Sequence, residues 1–295
     1  MTLSTGATGA AAQQAAPLAL DPSVARQGTA LLIAADESVL SPNGRSARSI
    51  MFALPRGMRV DTAARERLCA RREAVRSACP ASSRIGFGRF IVAVRGYLSG
   101  TGETAVAWKL DAYLGRSIRR GDAASVVLTG QLLGAGNVAA LLEPLLGTFV
   151  PRTATAVGRL VRRRSGAYGI ELRFATLPVH LDLPAPTMAT PARLELALSA
   201  VRRVRRNFVR RIRVRTLSGY KIRAVRDHRL IGHHLLRTPR SCRRSWPAEV
   251  GVALPGGVKR TSLRIDCSRH ATASRDSPKI TRTWNVWSTA AATVR

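Results

Sequence analysis

Acidic side chains are scarce in this 295-residue chain: 17 Asp and Glu stand against 48 Lys and Arg, a formal charge of +31. Lysine is scarce too, limited to Lys109, Lys221, Lys259 and Lys279, so arginine supplies nearly all of the positive charge. So few carboxylates leave little material for acid–base chemistry. Asp182 and Glu195, for example, lie on either side of a proline-rich joint, and nothing in their spacing makes them partners. The motifs of catalysis are absent as well: no nucleophile elbow, no HExxH and no Walker loop. The histidines are His180, His228, His233, His234 and His270. His233 and His234 are adjacent, so on a strand they point to opposite faces and cannot share one metal. His228 and His234 fall on one face of a regular strand and read as surface residues. The chain therefore reads as non-catalytic, with no cofactor and no metal; an envelope hydrolase is the enzyme class that stays open.

Long apolar runs are missing. The longest, Val138–Leu146, is broken by Glu143 and Pro144, far short of the roughly 20 apolar residues of a membrane-spanning helix. A hydrophobic content of 45% is nevertheless enough for one large or two modest domains. Cysteine is limited to Cys69, Cys79, Cys242 and Cys267. Structural zinc sites set their ligand pairs two to four residues apart, a spacing these cysteines lack. Two readings remain: disulfides in an oxidising compartment, or free buried thiols in the cytosol. Four cysteines allow three connectivities. A single helix through ERLCARREAVRSACP would hold Cys69 and Cys79 about 15 Å apart, so a bridge there requires a short helix, near Arg71–Ser77, and a returning chain. Cys242 and Cys267 flank PAEVGVALPGGVKRTSLRID, a hairpin turning at Pro255-Gly256-Gly257, and folding it brings its ends together.

What the sequence does hold is β pattern. GRFIVAVRGYL and TAVAWKLDAYLG flank SGTGE, and TAVGRLVRR and YGIELRFATLP flank SGA; both read as hairpins. Short strands with Gly and Pro turns predict an all-β, antiparallel β-sandwich with one or two short helices, a fold open to division into two packed lobes at residues 27–185 and 186–268. A short helix is expected over Asn137–Leu146. Gly134-Ala135-Gly136 before it is a partial dinucleotide fingerprint, weakened by the absence of a closing acid and by antiparallel surroundings. Residues 1–26 are expected to be the remnant of a signal peptide, cleaved after Ala12, or a low-complexity leader. Residues 269–295 lack periodicity and are expected to be unfolded.

The charge concentrates in one place. Arg202, Arg203, Arg205, Arg206, Arg210, Arg211, Arg213 and Arg215 cluster with Phe208 and Tyr220. Arg211, Arg213 and Arg215 share one strand face, opposite Ile212 and Val214. Guanidinium forks suit phosphate oxygens, and the two aromatics are candidates for stacking on bases. No helix-turn-helix, zinc-finger or RNA-binding signature accompanies them, so sequence-specific recognition is not expected. The bland reading is a solvated, arginine-rich face, as high-GC coding favours.

The block C…AV…ACPASSRIGFG (Cys69–Gly88), the turn Leu54-Pro55-Arg56-Gly57 and the closing Ser241-Cys242, Trp246, Pro255-Gly256 and Cys267 together resemble a group of exported, β-rich proteins of high-GC actinobacteria that have no known activity. The resemblance runs from about Arg48 to Cys267 and is most specific at the two cysteine blocks. It implies an exported β domain with two disulfides; the arginine-rich middle departs from the group. The resulting expectation is an extracellular or envelope protein that binds anionic wall polymer or a lipid surface through its arginine face. An intracellular protein binding nucleic acid without sequence preference is the alternative.

Overall fold

The computed structural model describes residues 17–42, 45–95, 104–133, 151–163, 165–179, 188–216 and 219–267. The expected helix over 137–146, the glycines of the partial fingerprint and the tail after residue 268 lie outside them, as do residues 1–16. Leu18–Asp21, within the segment expected as leader, instead forms a strand, β1, with Leu18 and Leu20 buried.

Among the described residues the fold is all-β and sandwich-like. In chain order the further strands are β2 (Gly28–Asp36), β3 (Ser49–Pro55), β4 (Arg59–Val60), β5 (Arg84–Arg95), β6 (Thr104–Gly115), β7 (Asp122–Leu132), β8 (Thr153–Arg162) and β9 (Tyr168–Phe174). They continue with β10 (Met188–Leu198), β11 (Val201–Thr216), β12 (Gly219–His234), β13 (Leu236–Arg237), β14 (Ser245–Leu254) and β15 (Gly257–Asp266). Two short helices are α1 (Glu37–Leu40) and α2 (Arg71–Val75). Thirteen strands form one sheet in the order β15-β14-β3-β9-β8-β7-β6-β5-β10-β2-β13-β4, with β1 paired on β2. All of its ladders are antiparallel.

Alternation drives the fold. In β8, Ala154, Ala156, Gly158 and Leu160 turn inward while Thr153, Thr155 and Val157 face water. Such strands give the sheet one dry face, and a sheet this long hides it by curling on itself: β1 approaches β15, its far edge. Trp108, Phe52, Phe90, Phe174, Leu172 and Leu194 meet in one core. The proposed lobes contribute to the same sheet, with β10 between β5 and β2 and β14 on β3. Buried carboxylates are matched by arginine: Glu195 by Arg89 and Arg193, Glu171 by Arg163 and Arg173, Asp122 by Arg159 and Glu249 by Arg260.

The cysteines pair as Cys69–Cys79 and Cys242–Cys267, with Cα atoms 5.1 and 6.0 Å apart. The first bridge depends on how α2 starts and stops. Glu73 reaches back to accept from the Ala70 N–H at 2.7 Å, a hydrogen bond that holds its carboxyl below the usual range. After Arg76, Ser77 takes a left-handed φ of 52°, and the N–H groups of Ser77 and Ala78 return to the carbonyls of Ala74 and Glu73. This double closure stops the helix two residues short of Ser77 and turns the chain so that Cys79 comes back to Cys69. The second bridge closes the β14–β15 hairpin, whose two turn residues are Pro255 and Gly256, the latter at φ 102°.

Candidate functional site: an arginine-rich ribbon

β11 and β12 leave the main sheet. Over sixteen residues each they pair with one another, in unbroken register from Val201↔His234 to Thr216↔Gly219. At about 3.4 Å per residue the ribbon is roughly 50 Å long. Its base is closed by the Leu235 N–H donating to the Ala200 carbonyl at 2.8 Å. Two polar contacts tie it to the body, His233 Nδ1 with Asp61 at 2.8 Å and the ion pair of Arg202 with Glu66 at 3.1 Å. His234 packs where Gly28 leaves room for it; a Cβ on Gly28 would stand 2.0 Å from the ring. Burial, with Arg237 and Arg203 close by, pushes the His234 imidazole below its ordinary pKa.

Register decides which side chains meet, because directly opposed residues share a face. Arg202, Arg206 and Arg210 lie on one face with Arg229, Arg223 and Lys221. Arg203, Arg205, Arg211, Arg213 and Arg215 lie on the other with Arg226. The eight arginines singled out in the sequence are thus all on β11 but divided three to five between its faces. Strand β12 adds four cations and the ribbon's single acid, Asp227. Of these, only Lys221 and Arg223 repeat the alternating signal of RRIRVRT; Arg226 falls on the opposite face from Lys221, Arg223 and Arg229, and all four become part of the site through the pairing.

Phe208 and Tyr220 do not form a common stacking platform. Phe208 faces with Asp227 and Tyr220 with Arg215, on opposite sides. The Arg213 guanidinium already lies over the Tyr220 ring, 5.3 Å from its centre. His228 and His234 do share a face, but six residues, about 20 Å, separate them. His228 instead meets Arg205 at 3.0 Å. Arg206, Arg210, Arg211 and Arg215 make no ion pair among the described residues, and Val209, Ile222 and Leu230 stand exposed between the charges. Among the same residues no group of three or more His, Cys, Asp or Glu converges as a metal site would require. No helix there is long and apolar enough to cross a membrane.

The chemistry of this arrangement is suited to extended polyanions. Cations on both faces of a narrow, twisted ribbon meet a flexible phosphate chain whichever way it wraps, and the intervening apolar side chains suit a lipid headgroup layer. Comparison with known protein families, with curated proteins and with solved structures finds no match.

Proposed function

We propose that this is an exported, non-catalytic protein of the cell envelope whose β11–β12 ribbon holds it to anionic wall polymer or anionic lipid. The observation that carries the reading is the ribbon: twelve cations against Asp227 on an exposed two-stranded element. A strand pair that buries so little contributes little to the core, and its charge serves contacts outside the molecule. The two disulfides are consistent with an oxidising location and count against the cytosolic nucleic-acid alternative.

Two measurements test this. The cysteines of protein taken from its native host should resist alkylation until reductant is added; four free thiols would place the protein in the cytosol. Poly(glycerol phosphate) and phosphatidylglycerol vesicles should bind the wild type. They should lose most of that binding to a variant carrying R205S, R206S, R210S, R211S, R213S and R215S. Equal binding by that variant would contradict the assignment of the ribbon.

A further inference from the structure

A second concentration of arginine lies on the body, and it differs in kind from the ribbon. Strand β13 lies between β2 and β4, placing Arg237 directly opposite Arg59. Like charges in that position repel. The loop before β2 adds Arg26 and the chain after β13 adds Arg240. With Gly57 and Thr238 these four arginines line a cleft of about 390 Å³. None of the four pairs with a carboxylate among the described residues.

The frame under the cleft is tightly built. The Thr238 N–H donates to the Gln27 carbonyl at 2.9 Å, and its hydroxyl accepts from the Gln27 N–H at 3.0 Å. Arg26 holds a φ of 64°, a region that side chains other than glycine rarely adopt. It is fixed there by its N–H to the Pro239 carbonyl at 3.0 Å and its Nε to the Arg240 carbonyl at 3.2 Å. Arg237 gives one N–H to the Gly232 carbonyl at 2.7 Å. Each guanidinium carries five N–H donors, so most remain available. Repelling charges and an unfavourable backbone conformation are thus held together around a concave space, without a paired carboxylate among the described residues. That combination is characteristic of a site organised in advance for an anion.

The lining names the class of anion. Among the described residues no aromatic ring and no large apolar side chain lines the cleft, and its lining offers little to hold a base, a sugar face or an acyl chain. The volume lies at the small end of ligand pockets. Four guanidinia require several negative charges within a short span. We propose that this cleft binds a compact, multiply charged phosphate group, for which inorganic pyrophosphate is the simplest probe. The proposal does not depend on the ribbon.

Calorimetry on the full-length protein in about 150 mM salt, where exposed charges more than roughly 8 Å apart are screened, tests it. Pyrophosphate should bind saturably at one site per chain. R59A/R240A removes two exposed guanidinium groups that hold no described partner and leaves the backbone hydrogen bonds of both residues in place; it should weaken binding about tenfold or more per guanidinium with an unchanged circular-dichroism spectrum. R59K/R240K keeps the charge, loses the fork and should bind with intermediate strength. R211S/R213S/R215S on the ribbon should leave pyrophosphate affinity as it is. Absence of saturable binding, full affinity in R59A/R240A, or equal weakening by the ribbon variant would each overturn the site. Vesicles of phosphatidylcholine with phosphatidic acid separate the two sources of such a phosphate. Vesicle binding that pyrophosphate displaces and R59A/R240A abolishes assigns the site to a headgroup; pyrophosphate binding without vesicle binding assigns it to a free ligand.

Discussion

A Cβ placed on Gly88 would lie 2.1 Å from the Glu195 carbonyl oxygen, and one on Gly86 would lie 2.0 Å from that of Ala197. The two glycines of IGFG therefore let the β10 backbone come close to β5. The obstacle is main chain, which cannot rotate away, so Gly88→Ala should lower stability by about 1–3 kcal/mol, read as a fall in melting temperature. Asp122 offers a second test. Its nearly buried carboxylate takes both Nη2 and Nε of Arg159, at 2.7 and 2.9 Å, and the Arg119 N–H at 2.9 Å. The hydrogen bond from Arg159, ahead of the others, holds its carboxyl below the usual range. The folded state then binds this proton more weakly than the unfolded chain does. The stabilisation is complete above the ordinary carboxylate pKa, about 4, and is lost as pH falls through the lower folded-state value. Asp122→Asn should cost about 1–3 kcal/mol at pH 7 and flatten the acid limb of the stability profile. An unaltered limb would show that Asp122 is not the group responsible.

At the scale of elements, the ribbon is separable from the body. Ala200 and Leu235 are hydrogen-bonded at its base, and Arg202, Gly232, His233 and His234 make its contacts with the body, so a short turn can replace the outer residues 205–230. The shortened protein should stay folded, with little change in melting temperature, and lose polyanion binding. In the intact protein, hydrogen exchange should open β11 and β12 well before β5–β8, because a two-stranded element without a dry face has little to hold it. Much of this element was legible beforehand, since RRIRVRT alternates plainly. The division of its arginines between two faces follows from odd and even positions once β11 is known to run unbroken from Val201 to Thr216; the separation of Phe208 from Tyr220 was not legible, because it depends on which residue opposes which. The Cys242–Cys267 hairpin could be read from its Pro-Gly turn. The short helix and returning chain between Cys69 and Cys79 could be read from the reach of a disulfide; the residue at which the helix stops could not, since a left-handed serine at position 77 carries no compositional signal.

For the whole molecule, antiparallel β structure followed from alternation and turn residues, whereas strand order did not. Long-range pairings such as β14 on β3 and β10 between β5 and β2 leave no periodic trace in sequence. The same holds for the cleft, where Arg26 and Arg240 meet across 214 residues. The bridges act at this scale too. They close loops of 10 and 25 residues, worth about 3 and 3.5 kcal/mol on the chain-entropy model. Reduction should therefore lower the melting temperature markedly, and Cys242→Ser/Cys267→Ser should do so more than Cys69→Ser/Cys79→Ser.

The most direct measurement is the salt dependence of poly(glycerol phosphate) affinity, compared between the intact chain and the six-arginine ribbon variant. Each cation in contact with phosphate contributes about 0.7 to the slope of log affinity against log salt for a flexible strand. Removal of six should flatten the slope by at least about 2 and weaken binding at every salt concentration. Equal slopes in the two proteins would show that the polymer is held elsewhere.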